Sequence, residues 1–253
     1  MKYSELYSNI SDVLPEALSC DWDNDGEMLC LDADKEIKRV LVALDITLPV
    51  IEYAKKGGFD LILSHHPLIF KPIKSISYGD ITGKRVCKLI NYGISAISLH
   101  TRLDVKHVNS ALADALELRD IEVLTVDEQP MGRIGYLENE MTCEDFAQFV
   151  KEKLSAPYVE YTRIDKKIKR VAILGGSGAD AIKEAISMEA DCLLTGECGY
   201  NKALDSAESG LPVFTAGHFY TENPVCKYLA QLINKIDGAI ECEVYSSNMF
   251  EVK

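Results

Sequence analysis

The chain has 253 residues, 47% of them hydrophobic and 26% charged, which is globular composition with length for one large core or two smaller ones. Its formal net charge of −13 argues against a dedicated nucleic-acid binder, because polyanions are held chiefly by Lys and Arg on phosphate. No run of about 18 apolar residues occurs, so no membrane span is expected. The start, Met1-Lys2-Tyr3-Ser4-Glu5, lacks the apolar stretch of a secretory signal. The eight cysteines are scattered without a C-x-x-C pair, so zinc-finger chemistry is not expected. Reduced thiols in a cytoplasm are the expectation.

Strand-like and helix-like segments alternate along the chain, the pattern of an α/β protein. The first helix is predicted over Tyr3 to Leu14, with Leu6, Ile10, Val13 and Leu14 on one face and Pro15 ending it. Val40 to Leu44 reads as a buried strand. Thr47 caps a helix toward Lys56 that Gly57-Gly58 stops, and Phe59 to Ser64 is the next strand. A longer loop over 67–83 leads to a helix near Gly83 to Asn91, the strand Ile94 to Leu99 and a helix over Val108 to Leu118. The second half opens near Ile121 with strand-like Ile121–Val126 and Ile134–Leu137. Thr142-Cys143-Glu144-Asp145 then starts a helix in the manner of a capping box. The basic stretch Lys166-Lys167-Ile168-Lys169-Arg170 reads as a solvated loop before the buried strand Val171 to Leu174. Cys192 to Thr195 and Val213 to Ala216 continue the strands. Asn223-Pro224 is a helix start, with the preceding His218 to Glu222 read as a strand-to-helix loop. The apolar stripe from Val225 to Ile236 reads as core packing.

The chain repeats itself. Lys38-Arg39-Val40 matches Lys169-Arg170-Val171, and at the same offset Asp60-Leu61-Ile62-Leu63-Ser64 matches Asp191-Cys192-Leu193-Leu194-Thr195. Gly93 to Thr101 matches Gly210 to His218 at a shorter offset, which the long loop after His66 accounts for. Two α/β repeats are therefore expected, residues 1–120 and 121–253, with the C-terminal helix and strand free to pack back on the first.

In such folds function gathers at the C-terminal ends of strands. There the first half carries His65, His66, His100 and Asp104, and the second carries Glu197, His218 and Glu222. Imidazoles with carboxylates suit a borderline divalent ion such as zinc, manganese or iron. Each residue also has an ordinary reading: His100 as a ring bonded to backbone, Asp104 as a helix cap, Glu222 as a favourable charge at a helix start, Glu197 as an exposed carboxylate. Gly175-Gly176-Ser177-Gly178, between a strand and a helix, is either an anion cradle or a tight turn. His107 has no strand-end argument.

Four motifs resemble one family. Trp22-Asp23-Asn24-Asp25-Gly26, Ser64-His65-His66-Pro67-Leu68-Ile69-Phe70, His100-Thr101-Arg102-Leu103-Asp104 and Ala216-Gly217-His218-Phe219-Tyr220-Thr221-Glu222 resemble the signatures of the Nif-three-like dinuclear-metal family. Its members are commonly called GTP cyclohydrolase 1 type 2 homologues. The resemblance implies two intertwined α/β repeats with mixed, mostly parallel sheets and a metal site between them. It implies two divalent ions on His65, His66, Asp104, His218 and Glu222, with Glu222 bridging, and a toroidal homohexamer. Three departures stand out. Asp25, Glu27 and Cys30 replace apolar residues, Arg102 replaces an asparagine, and Gly199-Tyr200-Asn201 replaces a histidine pair or a histidine with an aromatic. The resulting expectation is a cytoplasmic metal-dependent hydrolase acting on a nucleotide such as GTP, with His100 or Glu197 moving protons. The alternatives are a non-catalytic metal-binding scaffold and a regulatory interaction protein.

Overall fold

A computed structural model describes residues 1–246 and 248–253. Its strands, in chain order, are β1 (Gly26–Leu29), β2 (Arg39–Ala43), β3 (Leu61–Ser64), β4 (Ser95–Ser98), β5 (Arg119–Val126) and β6 (Gln129–Thr142), then β7 (Glu160–Tyr161), β8 (Lys167–Leu174), β9 (Cys192–Thr195), β10 (Val213–Thr215) and β11 (Glu241–Tyr245). They form two mixed sheets, one in each of two compact units. The first unit comprises residues 1–103 and 226–247, and the second 104–225 and 248–253. Relative to the expected halves, the division falls earlier, and most of the helix Pro224–Ile236 and all of β11 belong to the first unit. Among the described residues no helix is long and apolar enough to cross a membrane.

The first unit's sheet has the order β1-β4-β3-β2-β11 and is parallel except for β1. Parallel strands are covered on both faces and read as continuous apolar runs. Leu61 to Ser64 and Ser95 to Ser98 are accordingly buried at every position. Leu41, Ala43, Ile62 and Ala96 pack with Val50, Ile51 and Ala54 of the helix Leu48–Gly57 and with Val86 and Leu89 of the helix Ile81–Tyr92. Both helices begin and end as their sequences dictate. Thr47 Oγ1 accepts from Val50 N and Asp80 accepts from Gly83 N, while Gly58 and Gly93 close them in the left-handed conformation.

The second unit's sheet runs β5-β6-β8-β9-β10-β7, and only its central strands β8, β9 and β10 are mutually parallel. Alternate side chains of these strands serve two cores. Val171, Ile173, Cys192, Leu194 and Phe214 face Phe146 and Val150 of the helix Cys143–Leu154, whereas Ala172, Leu193 and Val213 face Leu124, Ala181 and Ala185. Thr142 caps Cys143–Leu154 by accepting from Asp145 N, as its motif predicts.

The repeat is visible in hydrogen bonds. In the first unit Asp60 Oδ2 accepts from Lys38 N and Arg39 N at 2.9 and 3.1 Å. In the second Asp191 Oδ2 accepts from Lys169 N and Arg170 N at 3.0 and 2.8 Å. The pairings Val40↔Leu61 and Val171↔Cys192 keep the same register.

A hydrogen bond to a charged group contributes about 1.5–3 kcal/mol. Asp60→Ala and Asp191→Ala are each expected to lower stability by about that amount, read as a lower urea midpoint. Burial works against ionisation of Asp60, but the Lys38 and Arg39 amides and Lys35 outweigh it and hold its carboxyl below the ordinary 3.8. Its stabilisation is therefore complete above the free carboxyl's pKa and lost as pH falls through the lowered one. The gap between wild type and Asp60→Ala narrows as pH drops below about 4.

Candidate metal centre

In the first unit β3 and β4 lie side by side in parallel, and their C-terminal ends deliver three imidazoles. His65 and His66 follow β3 directly, and His100 follows β4. The turn between them is set by two serines. Ser64 Oγ donates to the His66 carbonyl at 2.8 Å and accepts from Ser98 Oγ at 2.8 Å, and Ser98 Oγ in turn accepts from Leu68 N. One nitrogen of each ring of His65, His66 and His100 lies within 4.8 Å of the other two, close enough for a shared ion.

The opposite ring nitrogens face oxygens. His65 Nδ1 lies 2.9 Å from the Leu99 carbonyl, His66 Nδ1 2.8 Å from Asp45 Oδ1, and His100 Nδ1 2.9 Å from Asp23 Oδ1. A carbonyl or ionised carboxylate only accepts, so in the neutral ring each Nδ1 carries the proton and Nε2 presents its lone pair. Metal-binding histidines are oriented in this way. Sequence reasoning missed Asp45 and the role of Asp23. Asp45 had a signal, since it stands just past the end of β2, the strand neighbouring β3.

The loop bearing the tryptophan signature is fastened to the His100 turn by two carboxylates. Asp23 Oδ2 accepts from Thr101 N at 3.0 Å and Thr101 Oγ1 at 2.7 Å. Burial opposes ionisation of Asp23, yet these bonds and that from His100 prevail and pull its carboxyl to about 2. Asp25 Oδ2 accepts from His100 N and Arg102 N, while Oδ1 lies 2.7 Å from Arg102 Nε, both side chains 1% exposed. Arg102 Nη1 also donates to the Leu14 carbonyl at 3.0 Å. Burial pushes the Asp25 carboxyl up, and the Arg102 charge opposes the shift. Two departures that look separate in the sequence, Asp25 and Arg102, are thus one buried ion pair. Gly26, at φ +112°, is required beside it, because a Cβ there would come within 2.7 Å of the Tyr7 hydroxyl. Trp22, 64% exposed, lies nearly perpendicular to the His100 ring, with the ring centroids 6.3 Å apart. Asn24 Nδ2 donates to the Ile69 carbonyl, tying this loop to the segment of Phe70.

In the second unit His218 to Glu222 is a helical turn, not the loop expected before Pro224. Asn223 keeps right-handed helical angles, so the proline limits the turn without unwinding it. The turn sets His218 Nε2 2.9 Å from Glu222 Oε2, while His218 Nδ1 lies 3.4 Å from Glu197 Oε1. Glu197 also accepts from Ser177 Oγ at 3.0 Å. Its approach to His218 Nδ1 is longer than the 2.9 Å from Asp23 to His100 Nδ1, and the closer carboxylate to His218 is Glu222. The glycine run proves to be a tight turn. Three of its four amides are used internally, Gly175 N on Asn109 Oδ1, Gly176 N on Thr221 Oγ1 and Gly178 N on Thr195 Oγ1, so these three are not offered to an anion. Gly176, at φ +62°, has its own reason: a Cβ would sit 2.0 Å from Glu222 Oε1. Asp104 is half-buried and opens a π-helical turn, Asp104–Val108, which rules out the helix-cap reading. His107 in that turn is pushed down to about 4 by burial and by the charges of Lys106 and Arg133, which keeps it neutral.

Two α/β units with mixed sheets, and histidines backed by carboxylates at parallel strand ends, define a class of protein built to present imidazole nitrogens. The model of the Duf34/NIF3 (NGG1p interacting factor 3) family matches residues 1–251, and the chain belongs to that family. It is 34% identical over 248 residues to a GTP cyclohydrolase 1 type 2 homolog from Clostridium acetobutylicum, covering 95% of this chain and 91% of that one. A GTP cyclohydrolase 1 type 2 homolog from Campylobacter jejuni is 34% identical over 236 residues, covering 93% and 91%. The fold is similar to that of a Staphylococcus aureus hypothetical protein, with a TM-score of 0.93, 29% identity and coverage of 100% and 99%.

Removing one partner of a buried ion pair leaves a charge uncompensated and costs about 3–5 kcal/mol. Arg102→Asn and Asp25→Asn are each expected to destabilise by that amount, and the double variant to recover part of it, in a urea-unfolding cycle. Trp22 is the one tryptophan of the chain, so its fluorescence reports on His100. Co(II) or Ni(II) bound beside the His100 ring, at His65 and His66, is expected to quench it, and His66→Ala to abolish the quenching.

Proposed function

We propose that the chain binds two divalent metal ions and is a metal-dependent hydrolase of a nucleotide. The observation that carries this reading is the repeated orientation of imidazoles, Nδ1 on an oxygen and Nε2 presented, at His65, His66 and His100. The donor set fits a borderline ion such as zinc, manganese or iron. By the family motifs, the residues that would hold metal are His65 and His66 in the first unit and Asp104, His218 and Glu222 in the second. The ions supply, when bound, Lewis acidity toward an electrophilic carbon or phosphorus.

The chain's own residues do the rest. Asp45 fixes the tautomer of His66 through its Nδ1 atom, and Glu197, near His218 Nδ1, is a second candidate to carry a proton. Asp23 holds the proton on His100 Nδ1, which makes His100 Nε2 the more basic end and suits it to carry a proton. The nucleotide, with GTP as first candidate, follows from the cyclohydrolase-homolog name of the relatives. A ring-shaped homo-oligomer in the cytoplasm is part of the same reading, with neither membrane nor nucleic acid as partner.

Elemental analysis is expected to find about two divalent ions per chain, and fewer in Glu222→Ala. The metal-loaded protein is expected to turn over GTP or a related nucleotide in a screen across zinc, manganese and iron. Uptake of metal with no turnover under any of them replaces the enzyme by a metal-binding scaffold. Failure to take up metal overturns the reading altogether.

A further inference from the structure

Arg133 is buried, 7% exposed, in the middle of β6 of the second unit. Burying a guanidinium is costly unless its donors are satisfied. Among the described residues its acceptors are all neutral oxygens. Nη1 donates to the carbonyls of Pro130 and Gly132 at 2.9 and 2.8 Å, and Nε to Ser110 Oγ at 3.2 Å. Nη2 crosses to the π turn and donates to the carbonyls of Val105 and Lys106, at 3.1 and 3.2 Å. A π turn widens the helix by one residue and shifts carbonyls off the i to i+4 ladder, so it needs outside donors to persist. Arg133 supplies two, and Ser110 Oγ adds a third to Lys106 O.

A second side chain carries the same turn further. Asn109, also buried, donates through Nδ2 to the Met131 carbonyl at 2.9 Å and accepts through Oδ1 from Gly175 N at 2.8 Å. Gly175 adjoins Gly176, the glycine against which Glu222 and His218 lie. Within this unit, then, one polar frame holds the turn that begins at Asp104 and the turn that supports Glu222.

We propose that Arg133 is a positioning residue for the Asp104 carboxylate, acting through the carbonyls of the π turn, with Asn109 fixing that turn relative to the Glu222 support. The proposal rests on the metal reading above for what Asp104 binds, and on the hydrogen bonds alone for the clamp. A planar fork that reaches five donors explains why arginine stands here, since lysine carries the same charge on a single nitrogen.

The test uses Arg133→Lys in the full chain. In metal-free protein, hydrogen exchange of the amides across Val105 to Ser110 is expected to quicken while that of β8 and β9 is unchanged. Unchanged exchange in the turn overturns the clamp. Titration with Co(II) is expected to show affinity lower by about 10-fold, as for residues that orient ligands. That loss is expected to vanish when Arg133→Lys is made in an Asp104→Ala background, because the effect passes through Asp104. A loss that simply adds in that background overturns the positioning role. Wild type that takes up no Co(II) overturns the metal reading and the ligand half of this proposal, while the exchange result still decides the clamp. Should Arg133→Lys fail to fold, Ser110→Ala removes only the Nε acceptor and a donor to Lys106 O. It is expected to show the same pattern at smaller amplitude, and no effect on the turn overturns the clamp.

Discussion

An imidazole is useful to a site only if the protein decides which nitrogen carries the proton. Here the decision is made at Nδ1, by the Leu99 carbonyl for His65, Asp45 for His66 and Asp23 for His100. Each acceptor must itself be held still. Leu99 is held because it follows directly from β4. Asp23 is held by Thr101, and its ionised state is secured by the same bonds. Asp25 and Arg102 lie beneath this arrangement and fix the backbone on either side of His100. The order of dependence runs from a buried ion pair, to a loop, to a carboxylate, to a ring nitrogen.

The sheets explain why the rings are where they are. Strands β2, β3 and β4 are parallel, so their C-terminal ends open on one edge, and side chains placed just beyond them share that edge. Strands β8, β9 and β10 repeat the device. The aspartates at 60 and 191 hold the first strand of each trio to its neighbour by the same pair of amides. The copies have kept their framework and diverged at their ends. Strand β3 leads to His65 and His66 where β9 leads to Gly196 and Glu197, and β4 leads to His100 where β10 leads to the helical turn of His218.

Much of this was legible in the sequence because it depends on local rules. Apolar runs marked β3 and β9, threonine and glycine marked the limits of Leu48–Gly57, and strand-end polarity marked His65, His66 and His100. What escaped depends on contacts far apart in the chain or on uncommon backbone. The helical turn at His218 was hidden by Pro224, whose usual effect is to begin a helix rather than to follow one. The π turn put Asp104 inside a helical stretch that pattern alone starts at Val108. Periodicity does not reveal that Asp25 answers Arg102, or that Arg133 answers the carbonyls of Val105 and Lys106, because a hydrogen bond across a fold leaves no spacing to read.

The ion pair of Asp25 and Arg102 also constrains how such a chain changes over generations. Both side chains are out of water, so neither charge can be lost first without stranding the other. A lineage passing between this pairing and an uncharged one must cross an intermediate that folds poorly, or take both steps nearly together. Positions 25 and 102 are therefore expected to change together, and a tryptophan-signature loop borrowed from a relative is expected to pack here only if the residue at 102 travels with it.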